Sequence, residues 1–114
     1  MANKHRGEVD ITLLGESWTL RPTFGALAEI EDATGLGLAA VVQRFASGAF
    51  GIADVAIVLR EGMRAVRDDA PDLEAIKPAI IEEGFGKYAL AAGEFLSNAV
   101  LDETPVNKPA AKKT

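Results

Sequence analysis

Hydrophobic and polar positions alternate at the start of the chain and then change to a helical spacing. Val9, Ile11 and Leu13 alternate with Asp10, Thr12 and Leu14, and Trp18 and Leu20 alternate with Thr19 and Arg21. A period of two predicts a pair of half-buried antiparallel strands. Gly15-Glu16 between the runs suits a two-residue turn, because glycine takes positive φ without a Cβ clash. Pro22 has no N–H to give to a ladder and ends the second strand. Thr23 then predicts the cap of a helix that begins at Phe24 and closes at Gly35.

From there the spacing is helical. Phe24, Leu27, Ala28 and Ile30 are expected to face inward on the first helix, with Glu29, Glu31 and Asp32 in water. Leu38, Val41, Val42 and Phe45 recur at i, i+3, i+4 and i+7 and mark a second helix, broken by the run from Ser47 to Gly51. Ile52, Val55, Ala56, Leu59, Met63 and Val66 form one apolar stripe and predict a third helix over 52–66. Asp68-Asp69-Ala70-Pro71-Asp72 reads as a loop. A short fourth helix over 77–83 would carry Pro78 in its first turn, where proline loses only an orphan N–H, and would close at Gly84. Phe85, Tyr88, Ala89, Ala92, Phe95, Leu96, Ala99 and Val100 line one face of a last helix over 85–101. A lone hairpin is marginal in water, so it must lie on these helices or pair with another chain.

The fold class expected is therefore α+β: an N-terminal antiparallel β-hairpin followed by four or five short α-helices. Residues 1–6 are expected to form a flexible N-terminus, residues 7–101 one domain, and residues 102–114, polar with two prolines and three lysines, a disordered tail. The core is expected to include Val9, Ile11, Leu13, Trp18, Leu20, Phe24, Leu27, Ile30, Val41, Phe45, Val55, Leu59, Met63, Tyr88, Phe95 and Leu96.

The hairpin followed by T-L-R-P-T-F-G-A-L-A-E-I-E and a small-residue stretch ending in T-G resembles the small tail proteins of gene transfer agents and related siphophages, a family grouped with phage tail assembly chaperones. The likeness covers roughly Arg6 to Leu101, and its specific part is Trp18 to Gly37. It implies a non-enzymatic tail-assembly role in the cytoplasm of a bacterial host cell. The implied partners are the tape-measure protein and, as a further partner, the tail-tube protein. It carries no diagnostic binding motif, so it assigns no contact residue. The alternatives are a structural tube or connector subunit and a small helical adaptor unrelated to virions.

Composition narrows the chemistry. The 114 residues suit one domain. The absence of cysteine excludes disulfides, thiol catalysis and the common structural zinc sites. The N-terminus lacks an apolar h-region, so no signal peptide is expected, and no run of apolar residues is long enough to span a membrane. Between Gly7 and Glu103 seventeen acids face seven bases, and five bases at the two ends bring the total to −5. An acidic body repels phosphates, so no nucleic acid partner is expected.

The acids that share a face or loop, Glu29 with Asp32 and Asp68 with Asp69 and Asp72, sit away from the apolar stripes and read as solvated charge rather than as a catalytic pair or a cation site. His5 is the single histidine, so Ser17, Ser47 and Ser97 have no base to activate them. No catalytic residue, cofactor or metal is expected. Two features point toward binding. Arg60, Arg64 and Arg67 recur at i, i+4 and i+7 beside Ile57, expected to be exposed, and could meet an acidic partner. Internal pairing with Glu61 and Asp68 is the more economical explanation. Leu90 and Leu101 on the last helix, and Ile57 and Val58 on the third, fall off the main stripes; they either cover the hairpin or form an exposed partner site, which extends to a second copy of the chain.

Overall fold

The computed structural model describes residues 7–100, and the expectations for 1–6, for Leu101 and for the tail lie outside that range. Six elements follow in order: β1 (Val9–Leu13), β2 (Glu16–Leu20), α1 (Phe24–Thr34), α2 (Leu38–Ser47), α3 (Ile52–Arg64) and α4 (Leu73–Val100). The strands form an antiparallel two-stranded sheet in which Val9 faces Leu20, Ile11 faces Trp18 and Leu13 faces Glu16. The α+β hairpin-plus-helices architecture is the one the hydrophobic pattern predicts. The turn differs by one residue. Its corners are Leu14 and Gly15, with φ of 55° and 78°, and Glu16 already belongs to β2. Positive φ at both corners matches the twist of the flanking strands.

Local signals place the helices. Thr23 caps α1 by accepting from the Ala26 N–H at 3.0 Å, and Gly35 and Gly48 close α1 and α2 in the left-handed region. The fourth helix starts earlier than expected, because Asp72 is its cap rather than loop: Asp72 Oδ1 accepts from the Ala75 N–H at 3.1 Å. Pro78 therefore stands beyond the first turn, where it withholds one ladder donor. Gly84 takes φ 127° and ψ 86°, which kinks α4 into two halves. That accounts for the choice between four helices and five.

α3 is the hub. It packs against α4, α1 and β2 on different sides. Val55, Ala56, Ile57, Val58, Leu59, Gly62 and Met63 are buried in consequence. Ile57 is only 8% exposed, which corrects the expectation that it is exposed, and Val58 takes the covered one of its two readings. A single stripe describes a helix with one neighbour, and this helix has three. Phe24 is the opposite correction. It is 88% exposed, because α1 turns Ala26 and Ile30 inward and Phe24 falls on the far side. Val66, expected in the stripe, lies beyond the end of α3 and is exposed. Trp18, Leu20, Ile30, Val41, Leu59, Tyr88, Phe95 and Leu96 are buried as expected, whereas Ile11, Leu27 and Phe45 are half-buried. Ile76 and Ile80 join the core from the first half of α4.

The hairpin is fastened at both edges. Arg21 N–H donates to the Gly62 carbonyl at 3.1 Å. On the β1 side the Tyr88 hydroxyl donates to the Thr12 carbonyl oxygen and lies 3.0 Å from Glu83 Oε1. The Leu14 N–H donates to Glu83 Oε2 at 3.3 Å. Buried Glu8 accepts from Arg21 at 2.6 Å, and Asn98 Nδ2 donates to the Gly7 carbonyl at 3.2 Å.

Two tests follow from this packing. A Cβ on Gly62 would stand 2.8 Å from Leu20 Cβ and 3.0 Å from Phe95 Cε1. Gly62→Ala is expected to lower stability by about 1–3 kcal/mol, read by chemical denaturation. Burial, reinforced by Glu83, pushes the Tyr88 hydroxyl from 10.0 up to about 12. The unfolded chain loses this proton first. The stabilisation is thus complete below pH 10 and is lost as the pH rises toward 12. Denaturation across that window should show the decline, and Tyr88→Phe should remove it.

Candidate protein-binding surface

A mainly apolar opening lies between α2 and the second half of α4. Val42, Phe45 and Ala46 form one wall and Phe85, Ala89, Leu90 and Gly93 the other, around a groove of about 480 Å³. Its lining is partly aromatic. Phe45 and Phe50 stack with centroids 4.8 Å apart and rings 6° from parallel, and Phe85 tilts against Phe50 at 6.1 Å. Gly86, Ala89 and Gly93 recur along the α4 wall and keep it low, so that a visiting chain can approach the backbone. Leu90 stands up from that wall, 76% exposed. An apolar face of this kind, left open on a small domain, is a candidate contact site.

The walls carry almost no charge. Arg44, the one base on α2, is held by Asp54 at 3.1 Å, and Asp54 also accepts from the Gly51 N–H at 2.8 Å at the start of α3. The outward residues of α2, among them Ala39, Gln43, Ala46 and Ser47, are uncharged and exposed.

The expected arginine stripe is occupied from within. Arg60 Nε donates to the Pro71 carbonyl at 3.0 Å, and its Nη1 lies 3.6 Å from Glu61. Arg64 Nη1 reaches Glu61 at 3.1 Å. Glu61 is buried, so these two arginines neutralise a carboxylate taken out of water. Arg67 binds Asp69 at 2.8 Å and Glu16 at 3.4 Å, and its guanidinium carbon lies 3.9 Å from the Trp18 ring centroid. The hydrogen bond that Arg67 donates to Asp69 raises the Arg67 guanidinium above its ordinary value and lowers the Asp69 carboxyl. Pairing with Glu61 is as read from the sequence; Asp69 rather than Asp68 receives Arg67.

Of the residues singled out for binding, Leu90 lies in the groove, Ile57 is in the core, the three arginines form internal pairs, and Leu101 lies outside the described residues. What sequence reasoning missed is the groove itself. Val42, Phe45 and Phe85 read as core positions because helical spacing shows which face is apolar and not whether it is covered. Among the described residues no group of three His, Asp or Glu side chains gathers to hold a metal ion. No described helix is long and apolar enough to cross a membrane.

The family model described as "phage tail tube protein, GTA-gp10" matches residues 6–102. The chain belongs to this family of phage tail proteins. No curated protein and no solved structure matches it. The match spans the hairpin, all four helices and both walls of the groove, so the surface described above is part of the family's own domain.

Reversing Arg60 and Arg64 together would leave buried Glu61 beside two further carboxylates. Arg60→Glu with Arg64→Glu is expected to cost about 1–3 kcal/mol of stability, seen as a lower denaturation midpoint.

Proposed function

We propose that the protein is a non-enzymatic tail assembly factor that holds another tail polypeptide through the α2–α4 groove before the tail polymerises. The observation that carries this reading is the open, partly aromatic groove with Leu90 raised on its wall, in a chain that belongs to a phage tail family. Burying the groove would remove apolar surface from water at roughly 25 cal/mol per Å², and the acidic exterior would keep the complex dispersed. The tape-measure protein and the tail-tube protein are the partners proposed, in the cytoplasm of the host cell.

The second reading is a tube subunit, favoured by the family's description. Assembly by sheet extension would need a free strand edge. On β1 that edge is engaged at Thr12 by Tyr88, and at the adjoining turn Glu83 holds the Leu14 N–H. On β2 the Arg21 end is engaged by Gly62, which leaves the short stretch from Ser17 to Thr19. This favours the assembly-factor reading.

Co-expression with each tail protein of the same gene cluster separates the two. An assembly factor is expected to keep one of them soluble and to be missing from purified particles. Recovery of the chain in particles at a copy number matching the tube would overturn the assembly reading in favour of the subunit.

A further inference from the structure

We propose that the α2–α4 groove takes a single amphipathic helix whose apolar face is flanked by lysines or arginines. This rests on the reading of the groove as the binding surface and names the chemistry of its occupant.

The shape of the site sets the first requirement. The α4 wall from Phe85 to Val100 is helical throughout, about 24 Å at 1.5 Å per residue. The opposite wall is α2, which packs against α4. Two helices with small residues between them offer a trough in which a third helix can lie with its backbone close. Leu90 then inserts between side chains spaced at i, i+3 or i+4, and i+7 of the visitor. An extended strand would find no unpaired ladder here, because helices use their own N–H and C=O groups internally.

Charge sets the second. Residues 7–100 hold fifteen acids and seven bases, a net of −8. All five arginines in that span are in ion pairs with carboxylates. Lys87, the base next to the groove on α4, lies over the Tyr88 ring at 5.1 Å. Glu94, one turn beyond Leu90, is exposed and has no ion partner among the described residues, and Glu82 before the kink is the same. The trough is neutral and its surroundings are acidic. A visitor with basic flanks gains on both counts. A second copy of this chain would bring another net of −5 and another Glu94 to the same place, so charge disfavours self-association.

The test uses the full chain and two synthetic helical peptides of about 16 residues, the length that spans the wall. They share one leucine face and carry either lysine or glutamate at the flanks. Fluorescence anisotropy of the labelled peptides is read at low and high salt. The lysine peptide is expected to bind at least about tenfold more tightly at low salt, with the gap closing as salt screens the flanks. Leu90→Asp, at an exposed position, should weaken it by about tenfold or more, and Ala46→Asp should do the same from the other wall. Thermal melts check that each variant folds, and the two sit on different helices. Equal affinity for both peptides, no binding of either, or binding indifferent to both substitutions would overturn the proposal. So would sedimentation showing a dimer that Leu90→Asp dissolves. If the lysine peptide binds but no tail protein does, the groove chemistry stands and the assembly role falls. If a tail protein is kept soluble equally well by Leu90→Asp and Ala46→Asp, the role stands and this groove falls.

Discussion

The contact between β2 and α3 at Gly62 is the constraint on which the rest of the domain depends. A glycine there lets the Leu20 backbone and the Phe95 ring close on α3 from two sides, and the Gly62 carbonyl receives the N–H of Arg21. A two-stranded hairpin cannot stand alone in water. Laid on α3 it covers one side of the hub while α4 and α1 cover others. Once that approach is made, Trp18 is enclosed beneath Arg67, and Tyr88 of α4 reaches the opposite edge of the hairpin at Thr12. Both edges are thereby tied to helices, which is how a small sheet avoids pairing with its neighbours.

Enclosing α3 so completely has an electrostatic consequence. Glu61 is carried into the interior with it, and Arg60 and Arg64 are recruited to neutralise it. Arg67 is spent on Asp69, Glu16 and the Trp18 face, Arg21 on Glu8, and Arg44 on Asp54. The positive charge of the domain is used to hold the fold together, and the surplus carboxylates remain outside. The α2–α4 face is different because α2 contributes no free charge and α4 contributes glycine and alanine. The groove is the place where apolar surface is left over after α3 has taken its neighbours.

The chain order of elements, the caps of α1 and most of the large core residues are legible in the sequence, because these depend on local chemistry. Thr23 accepts an N–H from its own first turn, Gly35 enters the left-handed region, and Trp18 and Leu20 share a face by strand alternation. Leu90 off the main stripe of the last helix is legible for the same reason. The buried side of Ile57 and the exposure of Phe24 are not. Each depends on how many elements surround a helix, and a periodic pattern encodes the width of an apolar face without the number of partners pressed on it. The break at Gly84, by contrast, is read from the sequence, because a glycine accepts the φ of 127° found there. The amino-acid order thus dictates a hairpin, its helices and their oily faces, because backbone preference and side-chain period act within a few residues. Which of those faces is sealed against α3 and which is left open between α2 and α4 is set by three-dimensional packing, because burial is a property of neighbours far apart in the chain.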